Sequence, residues 1–127
     1  GIRDTSVTGV QTCALPICMK HYFLIYDTAP DWRERRAQYR QEHLTLAWAA
    51  HARGELLLGG ALGDTLLPAR EHGEPQGALL LFAGDTPEVA ARFAHADPYV
   101  RNGLVTHWRV REWHTAVGEQ AATPTKP

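Results

Sequence analysis

The sequence predicts an α+β domain in the ferredoxin-like order β-α-β-β-α-β, built on an antiparallel sheet. Three observations predict it. Four stretches read as strands and two as helices, in that order. Both helices begin at capping or proline signals. Three of the four strands are apolar on both faces, yet two helices can cover only one face of the sheet. Such a sheet needs a second cover, and another copy of itself in a twofold dimer is the simplest one.

The elements follow in order. Residues 21–26 (HYFLIY) are aromatic and β-branched, with Tyr22, Leu24 and Tyr26 on one face and Phe23 and Ile25 on the other. Residues 28–31 break this strand, and Asp31 with Glu34 reads as a capping box. A helix then runs to about Arg53 and stops at Gly54. At 100° per residue its apolar stripe is Ala37, Leu44, Ala47 and Trp48. His43 lies on a flank of that stripe beside Arg36, Ala47 and Ala50, where two alanines leave space. Residues 56–62 (LLLGGAL) are the second strand, and Gly59 and Gly60 suggest a bulge or a close approach. The connection from Gly63 to Gly77 is long enough to be functional or disordered. Residues 77–82 (GALLLF) are the third strand. Thr86 and Pro87 open a second helix that reaches about His95. After a turn at Asp97, residues 104–114 alternate as the last strand.

The totals bound what the protein does. At 127 residues with 44% hydrophobic and 21% charged content, the chain is one globular domain. A net charge of −1 draws in neither nucleic acid nor an anionic membrane. No apolar run approaches the roughly 18 residues of a membrane-spanning helix. Cys13 and Cys18 both precede Met19, so the body has neither a disulfide nor a cysteine metal site, which suits the cytoplasm. Residues 1–18 lack periodicity and resemble translated adapter sequence, a non-native or disordered extension. The domain is expected over 19–117, with a disordered polar tail over 118–127.

Two residues carry the candidate chemistry. Asp97 precedes Pro98, an ordinary helix N-cap arrangement. His43 by itself reads as a packed or surface residue with room beside it. No metal site is expected, because His43 and His51 lie two turns apart with no third ligand between them. No cofactor is expected either. The only serine is Ser6, so residues 19–127 offer neither a serine nor a cysteine nucleophile. Tyr99, Arg101, Gly59 and Gly60 share the expected cleft by position, and Arg36 and Arg40 lie on the His43 side of the helix. Arg40 could there hold an anionic group, although a solvated face accounts for most of these arginines.

From about Met19 to Val117, the chain resembles the YCII-related (YciI-like) proteins. The resemblance rests on Asp97, Pro98, Tyr99 and Val100 followed by Gly103 and Leu104, with Glu42, His43 and Leu44 on the earlier helix. It implies a dimeric α+β barrel with sheets packed face to face, as in the similar muconolactone isomerases. It also implies that His43 and Asp97 pair as a dyad, beside which Arg40, Gly60 and Tyr99 are expected, by position, to bind substrate. A carboxylate accepting one ring N–H would leave the other nitrogen as a general base for lyase, isomerase or dehydrochlorinase chemistry. The competing reading is a dimeric accessory protein that binds a metabolite without turnover. An RNA-recognition domain shares the strand order, but residues 78–82 lack its basic aromatic platform.

Overall fold

The computed structural model describes residues 19–63 and 77–127. The expectations for residues 1–18 and for most of the Gly63–Gly77 connection lie outside these residues. The elements are β1 (Lys20–Thr28), α1 (Trp32–Ala52), β2 (Leu56–Ala61), β3 (Ala78–Gly84), α2 (Glu88–Ala96), α3 (Pro98–Arg101) and β4 (Val105–Trp113). They form one antiparallel sheet in the order β2-β3-β1-β4, the expected ferredoxin-like arrangement with a single turn, α3, added after Asp97.

Register sorts the side chains onto two faces. On one, Tyr22 lies opposite Phe82, Leu24 opposite Leu80 and Tyr26 opposite Ala78. These residues are the core with Val89, Ala90, Phe93 and Ala94 of α2, and Leu24, Phe82 and Ala94 are fully buried. Helix α2 approaches β3 so closely that a side chain on Gly84 would meet Val89 at 2.9 Å. On the other face, one row runs Leu58, Leu81, Phe23, Arg111 and the next Gly60, Leu79, Ile25, Arg109. No helix covers these rows among the described residues. Leu58 is 73% exposed, and half-exposed Trp113 stacks on Phe23 with ring centroids 4.8 Å apart.

Helix α1 departs from its expected packing. The apolar stripe of Ala37, Leu44, Ala47 and Trp48 faces the core only in part: Ala47 packs against it, while Trp48 is 66% exposed and Leu44 39%. Its buried residues are Trp32 and Ala50, near opposite ends. Between those anchors the sheet-facing positions are Arg36, Arg40, His43 and Ala47, too polar or too small to close onto a strand that carries Gly59 and Gly60. The helix therefore stands off from β2 over its middle, and the gap is a cavity. The capping box is absent too: Asp31 makes no side-chain cap bond and instead lies 3.9 Å from Arg35. At α2 the Thr86 hydroxyl does accept the Glu88 N–H, at 3.3 Å, with Pro87 between them.

Beyond β4 the chain has no helix or strand, but it folds back on itself. Thr123 N–H bonds Thr115 C=O, Thr125 N–H bonds Ala116 C=O, and Ala121 is buried. Thr115 also covers His21, which is 3% exposed, with its Oγ1 2.7 Å from His21 Nδ1. The same Oγ1 accepts the Ala122 N–H, so its own proton is free to be donated to an unprotonated His21. Burial lowers the His21 pKa from its usual 6.5. A depressed histidine means that the unfolded chain binds the proton more readily than the folded one. Stability is then complete above about pH 6.5 and falls as pH drops through that value. Thermal melts between pH 7.5 and 5.5 should show this loss in the wild type, and His21→Gln should flatten it.

Candidate functional site

The site begins with a dipeptide. A residue before proline is pushed into extended conformation, and Asp97 sits at φ −70°, ψ 122° between α2 and α3. Pro98 then starts α3, where its missing N–H costs nothing. This geometry turns the Asp97 side chain inward, where it is completely buried. Its Oδ1 accepts the Tyr99 backbone N–H at 3.0 Å and lies 2.8 Å from His43 Nδ1. Its Oδ2 accepts the Tyr26 hydroxyl at 2.7 Å. The capping role and the histidine contact therefore coexist on one carboxylate.

His43 reaches Asp97 from α1. Its ring stacks on Tyr99 with centroids 4.1 Å apart and an 11° tilt, and meets the edge of Phe93 at 6.2 Å. With Nδ1 held by the carboxylate, Nε2 has no hydrogen bond among the described residues. The side chain is 16% exposed, and it opens onto the cavity. A buried carboxylate thus fixes the ring from behind while one nitrogen stays available in front.

The cavity has a volume of about 560 Å³, within the usual range for small-molecule sites. Its polar wall includes Arg36, Arg40, His43, His51 and Tyr99, and its apolar wall includes Leu44, Ala47, Trp48, Leu57 and Leu80. Arg40, Gly60 and Tyr99 thus all line it, as do Gly59 and Arg36. Asp97 lies behind His43 rather than on the wall. Arg101 does not line the cavity and pairs with Glu42 at 3.0 Å. Ala47 contributes the expected space, whereas Ala50 is buried as an anchor of the helix. His51 bonds the Leu56 carbonyl through Nδ1. Among the described residues, no three metal-ligating side chains cluster.

Sequence reading missed Tyr26, which alternation assigns to the core. The available signal was chemical, because a phenol on a buried strand face needs a hydrogen-bond partner. Burial first, and then the neighbouring Asp97, push its pKa far above the usual phenol value, so it keeps its proton and donates it to Asp97. Burial also raises Tyr99, seconded by Asp97 and opposed by Arg36 and Arg40. Tyr26→Phe should leave the fold intact, cost about 1–2 kcal/mol in denaturant melts and reduce any His43-dependent activity, because Asp97 Oδ2 loses the Tyr26 hydroxyl that donates to it.

Comparison with known proteins follows from this geometry. The model of the YCII-related domain matches residues 19–114. No curated protein matches the chain. A solved structure with the same fold is 5-chloro-2-hydroxyhydroquinone dehydrochlorinase (TftG) from Burkholderia phenoliruptrix AC1100, in complex with 2,5-dihydroxybenzoquinone. It is 18% identical, with 76% of this chain and 95% of that chain covered and a TM-score of 0.60. At that identity the likeness speaks for the fold. The family match spans most of the chain and includes both His43 and Asp97, and the protein belongs to the YCII-related domain family.

Proposed function

We propose that the protein is a small-molecule enzyme in which His43, steered by Asp97, moves a proton in lyase-, isomerase- or dehydrochlorinase-type chemistry. The observation that carries this reading is the 2.8 Å contact between His43 Nδ1 and a fully buried carboxylate, at the wall of a ligand-sized cavity. With Nδ1–H donated to Asp97, the Nε2 lone pair faces the cavity as a general base. It takes a proton from a carbon next to a carbonyl, and Asp97 stabilises the imidazolium that results. Returning that proton to a different carbon completes an isomerisation. In an elimination the C–H electron pair becomes the new double bond, while the leaving group departs with its own pair. The activity named for the TftG structure supports this class. Arg40, Gly60 and Tyr99 contact the substrate in this reading.

The protein acts as a cytoplasmic homodimer. The uncovered rows of Leu58, Leu81 and Phe23 and of Leu79 and Ile25 favour a second sheet packed against them. No described helix is long and apolar enough to cross a membrane. The test is NMR-detected deuterium exchange in D₂O over a panel of lactones, keto acids and chlorinated phenols. Wild type should exchange or convert at least one compound, and His43→Gln should not. A ligand that raises the melting temperature without exchange or turnover would instead favour a binding protein.

A further inference from the structure

We infer that the cavity takes a carboxylate with an apolar body, its charge held at Arg36 and Arg40 and its body running past His43 toward Trp48. The inference deepens the proton-transfer reading and rests on it for the place of the reacting atom, though not for the charge. Three observations carry it.

The first is charge balance. Arg36 and Arg40 both line the cavity, and no aspartate or glutamate does so among the described residues. Other arginines of the domain have acceptors: Arg35 meets Asp31 and the Asn102 carbonyl, Arg53 meets Glu55, and Arg101 meets Glu42. Arg36 and Arg40 have no ion pair among the described residues. Arg36 is instead set by its aromatic neighbour, with its guanidinium carbon 4.9 Å from the centre of the Trp32 ring. A guanidinium stacked in that way keeps its N–H edge free for a planar anion.

The second is clustering. Arg36 and Arg40 occupy successive turns of one helix face, and both act on the Tyr99 phenol. That phenol keeps its proton and adds a neutral donor beside the two cations. Two guanidiniums and a hydroxyl at one end of a cavity match the oxygens of a carboxylate.

The third is polarity along the helix. Beyond His43 the wall of α1 turns apolar through Leu44, Ala47 and Trp48 before ending at His51, whose Nδ1 is taken up by the Leu56 carbonyl. Leu57 and Leu80 also line the gap. From Arg40 to His43 the helix rises about 4.5 Å, and from His43 to Trp48 about 7.5 Å. The base therefore lies between the charged and apolar ends, closer to the charge. A bound acid would present to Nε2 a carbon near its carboxylate, not its far end. Gly59 and Gly60 line the cavity from β2 without side chains.

Benzoate, phenylacetate and 3-phenylpropionate, each paired with its amide, provide the test, with binding read by calorimetry at low salt. At least one acid should bind wild type about tenfold or more tightly than its amide, a preference that fades as salt rises. The Arg36→Gln/Arg40→Gln variant should lose the preference, and the exposed Arg40→Gln change alone should reduce it. His43→Gln should retain it, so anion binding is scored independently of proton transfer. Equal binding of acids and amides, no binding by any acid, or a preference that survives in a folded double variant would overturn the inference. Absence of any exchange or turnover by wild type, with the preference intact, would overturn only the proton-transfer reading.

Discussion

Replacing His43 by glutamine is expected to lower turnover by about 10²–10⁴-fold, the usual contribution of a positioned general base. Stability should change by no more than about 1–2 kcal/mol. The two effects separate because of where the ring lies. His43 is a cavity wall residue, and the carboxylate behind it keeps two other donors, Tyr26 and the Tyr99 N–H. A glutamine amide can still donate toward Asp97, but it cannot accept and return a proton as imidazole does. Steady-state rates alongside thermal melts measure both effects. A variant that unfolds, or one that turns over normally, would show that the ring serves packing.

Asp97→Ala should be the most damaging single change, costing about 3–5 kcal/mol as well as activity. Three groups lose their acceptor at once. Tyr26 is 2% exposed, and leaving its hydroxyl unpaired costs about 1–3 kcal/mol. Loss of the α3 cap at Tyr99 adds about 1 kcal/mol, and His43 Nδ1 loses its partner. Asp97→Asn separates charge from structure. Its amide oxygen can still accept from His43 and from Tyr99, and its amide nitrogen can donate to the Tyr26 oxygen. Most of the stability should return while activity stays low, because the carboxylate charge that supports an imidazolium is gone. Denaturant melts of the two variants against wild type check the difference.

How legible this was depends on the element. Strand alternation is a local property, so the four strands could be placed on sight, together with the two apolar faces of β1, β2 and β3. The meeting of His43 and Asp97 is not local. Fifty-four residues separate them, and neither stands out from its neighbours as more than a packed histidine or a capping aspartate. Only the likeness to a known family pointed to the pair. Helix α1 was misread because its apolar stripe assumed a helix lying flat on the sheet. It is pinned at Trp32 and Ala50 instead, so Leu44 and Trp48 face a cavity and solvent. Whether a helix lies flat depends on what the strand beneath offers, and Gly59 and Gly60 offer no side chains to pack. Tyr26 was hidden for a different reason. Periodicity reports which face a tyrosine takes and says nothing about where its hydroxyl ends.

The central claim is that one carboxylate orients one imidazole, and the most direct measurement is the tautomer of His43 by ¹⁵N-edited NMR on labelled protein. The account predicts that the neutral ring carries its proton on Nδ1, donated to Asp97, with Nε2 bare, and that Asp97→Asn disturbs this signature. A neutral ring protonated at Nε2, or ring signals indifferent to Asp97→Asn, would contradict it.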